Sequence, residues 1–228
     1  MDRGKVLWEK DLEELKGNWA RYLDKDGDGI PYRTFPGNKS PASSYFLRGT
    51  GHDEYAKYSE EAPMWYRNME RLKNKYEGAK KYVPAPIMHK VKGASVGIIG
   101  FGSTEAAILE AQHQLNTQNG IQADFMRVRA VPFTSEVADF IKKYDQVFVV
   151  EMNRNGQMNE LLEIEYPEYS TKLKSVAFGD GLPASAKWVR EGILAKYKSA
   201  KKPQKAKAKA VKSKTTKTLK KNTSAKRR

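Results

Sequence analysis

Two kinds of hydrophobic spacing divide the chain. Up to about residue 81, apolar residues recur at three- and four-residue intervals, the period of a helix. Leu12, Leu15, Trp19 and Tyr22 form one such stripe, and Trp65, Met69, Leu72 and Tyr76 form another. The stretch between them, DKDGDGIPYRTFPGNKSPASSYFLRGTGHDEY, carries too much Gly, Pro, Ser and Asp for regular structure. A loop of that length is either functional or supported from outside itself. Pro84, Pro86 and Gly93 then break the periodicity and mark a linker.

Past the linker, short apolar runs alternate with helical stripes. ASVGIIGFG reads as a buried strand, followed by a helix with Ala107, Ala111 and Leu115 on one face. A strand near residues 123–128 precedes a helix with Val137, Phe140, Ile141 and Tyr144 aligned, and QVFVV reads as the next strand. A helix bearing Met158, Leu161 and Leu162, a strand near residues 173–178 and a last stripe of Val189, Ile193 and Tyr197 complete the series. Four strand–helix alternations predict an α/β fold, a mostly parallel sheet in three layers with helices on both faces. Ligands of such sheets gather where the strands end, here at GFGST, RAVPFT, EMNRNGQ and FGDGLP.

Charge changes the picture only at one end. The 228 residues hold 42 Lys or Arg and 27 Asp or Glu, a net +15, yet residues 199–228 alone contribute 13 basic residues and no acid. The rest of the chain is close to neutral. The tail has almost no large apolar residue and is expected to be disordered; it reads either as a solubilising appendage or as a tether that neutralises phosphates. No cysteine is present, which excludes a disulfide framework, a thiolate nucleophile and an iron–sulfur cluster held by this chain. No apolar run reaches the roughly 18 residues of a spanning helix, and the N-terminus lacks a secretory apolar stretch, so the expectation is a cytoplasmic protein without membrane contact.

The candidate chemistry is sparse. GFGST follows a strand and opens a helix, as a phosphate-binding turn would, but Glu105 stands where the dinucleotide fingerprint needs a third glycine, and Arg127 and Arg129 replace its acid; a tight turn capped by Ser103 or Thr104 is the alternative. DKDGDG starts like a calcium loop, but Phe35 occupies the position of the bidentate Glu and Pro31 breaks the turn, leaving an Asp/Gly turn as the alternative. RGTGHDEY joins a cation, two glycines and a histidine able to face an anion, or is a structured surface loop. In EMNRNGQ, Glu151 closes a strand and Asn153, Asn155, Gly156 and Gln157 can cap the next helix or meet a neighbour. His52, His89 and His113 show no metal-ligand spacing.

DGDGIPYRT, YFLRGTGHDEYAKYSE, YRNMERLKNK, VGIIGFGSTEAAILEA, MRVRAVPFTSEVADFI, VFVVEMNRNGQMNELL and FGDGLPASAKWV, read in order, closely resemble the alpha subunit of 2-oxoacid:ferredoxin oxidoreductases, the 2-oxoglutarate type most of all. The resemblance covers roughly residues 2–196 and leaves out the basic tail. It implies an incomplete, α-rich remnant of a thiamine-diphosphate pyrimidine-binding domain at residues 1–81, a linker at 82–93, a transketolase C-terminal-like α/β domain at 94–198 and the tail at 199–228. It also implies a subunit of an oxidoreductase that decarboxylates a 2-oxo acid, with 2-oxoglutarate expected, to acyl-CoA while reducing ferredoxin. Thiamine diphosphate and Mg would be held mainly by other chains, the iron–sulfur cluster and CoA would lie elsewhere in the complex, and this chain alone would bind none of them and be inactive. The implied partners are a beta subunit, the missing alpha or gamma portion and ferredoxin. Arg48, Gly49, Thr50, Gly51 and His52 are the cofactor- or active-site-proximal candidates, Glu151, Asn153, Gly156 and Gln157 the subunit-interface candidates, with no catalytic or metal-ligating residue. The other reading is a non-catalytic α/β binding module whose residues 201–228 contact nucleic acid nonspecifically.

Overall fold

A computed structural model describes residues 4–200. Of the expected tail, 199–228, residues 201–228 lie outside the described residues. The α/β part contains strands β2 (Val96–Phe101), β3 (Ala123–Val128), β4 (Val147–Glu151) and β5 (Leu173–Ala177), separated by helices α3 (Glu105–Asn119), α4 (Ser135–Lys143) and α5 (Gln157–Glu165) and closed by α6 (Ala186–Ala200). A further short strand, β1 (Ile87–His89), lies inside the segment expected to be linker and pairs antiparallel with β3. The full order is β1-β3-β2-β4-β5, and the other pairings are parallel.

The strands form along largely apolar runs, broken in β3 by Asp124 and Arg127 and in the edge strand β5 by Lys174 and Ser175, because both faces of the central parallel strands are covered. Ile98, Phe125, Phe148, Val150 and Val176 meet α3 and α6 on one face. Ile99, Met126, Val147 and Val149 meet α4 and α5 on the other. The expected helical stripes in this part are buried except at Tyr197, which is half-buried against the core, and at Leu161, which faces outward from α5. β1 escaped the sequence reading because it is three residues long and follows two prolines. It is held by ring stacking of His89 on Phe125 and by Gln112 Nε2, which donates to the His89 carbonyl. Helix α6 continues to Ala200, two residues past the expected boundary at 198.

The first eighty residues contain α1 (Glu9–Leu15) and α2 (Ala62–Ala79). Asp11 stabilises the start of α1 by accepting from the Trp8 amide at 2.7 Å. The stripe predicted to run on to Trp19 and Tyr22 stops at Leu15, since Lys16 and Gly17 both turn left-handed. Trp19 instead donates from its indole to the Ala42 carbonyl at 2.7 Å, and the Tyr22 ring stacks on His52.

The long loop is tied down from within the chain. Lys5 Nζ lies 2.6 Å from Asp26 and 2.7 Å from Asp28; the Leu7 amide donates to the Arg33 carbonyl, and the Lys39 amide to Glu9. Gly29 lets the loop touch α2: a Cβ there would sit 2.5 Å from the Lys75 amide nitrogen and 2.7 Å from the Arg71 carbonyl oxygen, and its φ of +81° disfavours any side chain.

Candidate functional site

The chain leaves β2 through α3 on one face of the sheet and leaves β4 through α5 on the other, so the strand order reverses between β2 and β4. The loops after these two strands part there, and such a split is where doubly wound sheets bind ligands. Across it, Ser103 Oγ approaches Met152 Sδ at 4.0 Å. Gly102, Ser103, Arg154, Asn155 and Gln157 are exposed around it.

The β4 loop turns on Glu151. Its side chain is fully buried, at 0% exposure, and points back under the following helix. Its Oε2 accepts from the Met158 amide at 2.9 Å and from Asn153 Nδ2 at 3.0 Å, and its Oε1 accepts from the Asn159 amide at 3.1 Å. A carboxylate thereby satisfies two of the amides that the first turn of α5 would leave unpaired, and its negative charge suits the positive end of the helix dipole. Gly156 makes the approach possible. It has φ +70°, and a Cβ would meet Ser175 Oγ at 2.6 Å. Of the four interface candidates, Glu151 and Gly156 are internal, Asn153 is half-buried and Gln157 faces solvent.

At β2 the turn is a short 3-10 segment, Gly102–Thr104, in which Thr104 Oγ1 donates to the Phe101 carbonyl at 2.7 Å; neither Ser103 nor Thr104 caps α3 by accepting an amide. Gly100 brings α3 close, since a Cβ there would lie 2.3 Å from Ile108 Cδ1. Glu105 is matched by Arg127, whose Nη1 lies 3.0 Å from Oε2, and His89 Nε2 lies 3.7 Å from Oε1. The acid and the arginine that departed from the dinucleotide pattern therefore neutralise each other.

The Arg48–His52 loop lies in the first eighty residues. Arg48 Nε donates to the Ala56 carbonyl at 2.7 Å, and its amide donates to the Tyr22 hydroxyl at 3.2 Å. The His52 ring is stacked on Tyr22, and the His52 carbonyl accepts from Asn68 Nδ2 at 2.7 Å. Gly51 packs against Ser59, while Gly49 and Thr50 are exposed. Among the described residues, no hydrogen bond or ion pair joins this loop to Glu151, Asn153, Gly156 or Gln157. Its cation and its histidine are used in holding the loop itself, and no group of three or more metal-ligating side chains exists among the described residues. These residues do not fit a diphosphate and metal cradle.

The DKDGDG stretch is an Asp/Gly turn. Asp24 accepts from the Gly27 and Gly29 amides at 3.0 and 2.8 Å, and Asp28 accepts from the Ile30 amide at 2.9 Å. The Lys5 ammonium stands where a cation would bridge Asp26 and Asp28. Hydrogen bonds from Lys5, with help from the Tyr32 hydroxyl at Asp26 and the Ile30 amide at Asp28, hold both carboxyls below their ordinary range. Sequence reasoning missed this lysine because it lies 21 residues before Asp26. It also missed Asp124, buried at the second residue of β3, which accepts from the Val91 amide at 2.7 Å, from Lys143 at 2.9 Å and from the Tyr144 hydroxyl. Burial opposes its charge, but these three donors outweigh burial and keep its carboxyl below the usual value.

No protein-family model matches the chain. It is 31% identical over 165 residues to the alpha subunit of 2-oxoacid:ferredoxin oxidoreductase 2 from Aeropyrum pernix, a match covering 70% of this chain and 24% of that protein. Over these 165 residues the chain is homologous to that alpha subunit. It spans about a quarter of the length of this curated relative. The 2-oxoglutarate:ferredoxin oxidoreductase of Magnetococcus marinus, solved with 2-oxoglutarate, coenzyme A and succinyl-CoA bound, superposes with a TM-score of 0.65 at 23% identity, covering 78% of this chain and 30% of that one. This match shows that the mostly parallel α/β fold here is shared with part of that oxidoreductase chain. A split gene transketolase is also similar over 48% of this chain and 40% of that one, with 19% identity and a TM-score of 0.41. No described helix is long and apolar enough to cross a membrane.

Proposed function

We propose that this chain is a partial alpha subunit of a 2-oxoacid:ferredoxin oxidoreductase, with an assembly and positioning role in a multi-chain enzyme and no turnover by itself. The observation that carries the reading is the homology over 165 residues to an oxidoreductase alpha subunit. The site geometry is consistent with it: the exposed groups at the sheet edge are hydrogen-bonding side chains on a loop stiffened by a buried carboxylate, with no nucleophile–base pair among them. The preferred 2-oxo acid is proposed to be 2-oxoglutarate, in line with the ligand of the Magnetococcus marinus enzyme. In the assembled enzyme, thiamine diphosphate would supply the carbanion chemistry of decarboxylation. No step is assigned to it through residues of this chain, since the cation and the histidine of the Arg48–His52 loop are used in holding the loop itself.

The proposed partners are a thiamine-diphosphate-binding beta subunit, the remaining alpha or gamma portion, and ferredoxin as acceptor. Affinity purification of the endogenously tagged chain, with mass spectrometry of what is retained, tests the assembly. Recovery of such a beta subunit, with viologen reduction on 2-oxoglutarate and CoA by the purified complex, is the expected outcome. Recovery of the chain with nucleic acid alone, lost on deletion of residues 199–228, would replace this reading with the binding-module one.

A further inference from the structure

Helix α2 packs with its polar side inward. Asn68 donates to the His52 carbonyl, Arg71 to the Gly29 carbonyl, and Gly29 lies against the backbone at Arg71 and Lys75, so the loop covers the face bearing residues 68, 71 and 75. The apolar face is left outside: Trp65 is 57% exposed, Met69 38%, Leu72 43% and Tyr76 45%. An amphipathic helix normally buries the opposite side.

The exposed stripe has an order of its own. Ala62, Trp65, Met69, Leu72, Tyr76 and Ala79 follow one another at spacings of three, four, three, four and three, the a/d seam of a coiled coil over the whole helix. The seam is also symmetric about the point between Glu70 and Arg71: small, aromatic, aliphatic, then aliphatic, aromatic, small. Two antiparallel copies would set Ala62 beside Ala79, Trp65 beside Tyr76 and Met69 beside Leu72, each pair occurring twice. This is the self-complementarity that a two-fold interface requires. The flanking positions agree. Tyr66 would face Lys73 of the second copy, a cation–π pairing, while Asn68 and Lys75 stay on the side that the loop covers, so no like charges meet. Fully buried aromatic and long aliphatic side chains contribute ~150–250 Å² each, and with Tyr66 the five large residues stand near half-exposed. The seam therefore offers on the order of 500 Å² per copy, or about 1,000 Å² per pair, the lower bound for a specific interface.

We infer that α2 is a homodimerisation helix, which pairs antiparallel with α2 of a second copy of this chain through the Trp65, Met69, Leu72 and Tyr76 seam. This inference is independent of the assignment to an oxidoreductase complex.

The test uses the full chain after nuclease treatment, followed by sedimentation velocity from about 1 to about 200 µM, a wide window because buried area does not set affinity. The expected species has twice the 25.9 kDa chain mass. Leu72→Lys, on the solvent side of α2, should keep the circular dichroism of the parent and weaken association by roughly a hundredfold, because the seam would contain a charge from each copy. Trp65→Gln serves the same purpose if Leu72→Lys unfolds. Register is read separately, since the chain has no cysteine of its own. A mixture of Ala62→Cys and Ala79→Cys chains should form a mixed disulfide, while either variant alone should not, because like positions would lie about 25 Å apart along the helix. A monomer at every concentration, a dimer indifferent to both seam substitutions, or cross-linking of Ala62→Cys chains to each other would overturn the inference. A chain that stays monomeric alone and buries α2 only in a complex with a different protein would overturn it as well.

Discussion

Replacing Glu151 tests whether the β4 loop owes its shape to one buried carboxylate. In Glu151→Ala, the Met158 and Asn159 amides remain buried and lose their acceptor, whereas Asn153, half-buried, can turn to water. Each orphaned buried donor costs about 1–3 kcal/mol, and the cavity adds to that, so the expected loss is about 3–4 kcal/mol. Glu151→Gln keeps the volume and one acceptor oxygen but turns an NH₂ toward donors, for an expected loss of about 1–2 kcal/mol. For a chain of this size each kcal/mol shifts Tm by about 2–4 °C, hence roughly 6–16 °C for alanine and 2–8 °C for glutamine. Urea unfolding followed by far-ultraviolet circular dichroism gives the free energies, with all variants at one protein concentration because association would shift the midpoints. Hydrogen exchange at the Met158 and Asn159 amides adds a local readout and should lose protection in the alanine variant. An alanine variant within about 1 kcal/mol of the parent, or unchanged protection at those two amides, would refute the reasoning.

Four further outcomes follow from the same packing. Asp124→Ala should cost about 2–4 kcal/mol, since it strips the acceptor from the Val91 amide and the Tyr144 hydroxyl; a loss under 1 kcal/mol in urea would count against it. Because its folded pKa is lowered from 3.8, the Asp124 contribution is complete above that value and disappears as pH falls through the lower folded pKa; an acid titration of stability should therefore be flatter below pH 3.8 in Asp124→Asn than in the parent. Gly156→Ala, with φ +70° and Ser175 Oγ in the way, should cost about 2–4 kcal/mol, against about 1 kcal/mol for Gly102→Ala, whose φ is +59° in open space; equal losses would show that the contact is relieved cheaply. Lys5→Met should leave the α/β sheet intact and speed proteolysis within residues 24–40, and unchanged cleavage there would mean that the Asp26 and Asp28 contacts do not hold the loop.

The elements read correctly from the sequence are those in which one physical cause acts alone. β2, β3 and β4 are mainly apolar and buried on both faces, β5 is anchored by Leu173 and Val176, and α3, α4 and α6 show one apolar stripe over at least two turns, so patterning suffices for them. Where two causes compete, periodicity names the wrong winner. The Leu12, Leu15, Trp19, Tyr22 stripe keeps helical spacing, yet the left-handed Lys16 and Gly17 end the helix, because a backbone stop outranks a side-chain pattern. β1 has no periodicity to read in its three residues and exists because β3 has an open edge beside it. Leu161 belongs to a helix whose buried side is already filled by Met158 and Leu162.

The candidate site divides along the same line. The location of the loops followed from counting parallel strands, while the direction of each side chain did not. Glu151 closes a strand in a sequence that also supplies glycine five residues later and two helical amides after that, and only the fold shows that these meet. Arg48 and His52 have the chemistry of an anion site and are used instead on Ala56 and Tyr22. Helix α2 carries the argument one step further. Its amphipathic pattern was plain, and pattern alone does not say which face meets this chain. What decides it is Gly29, the residue in the loop that brings a backbone within reach of Arg71 and Lys75 and so commits the polar face to this chain. The apolar seam is then free for a second helix, and its symmetry selects the helix that is identical to it.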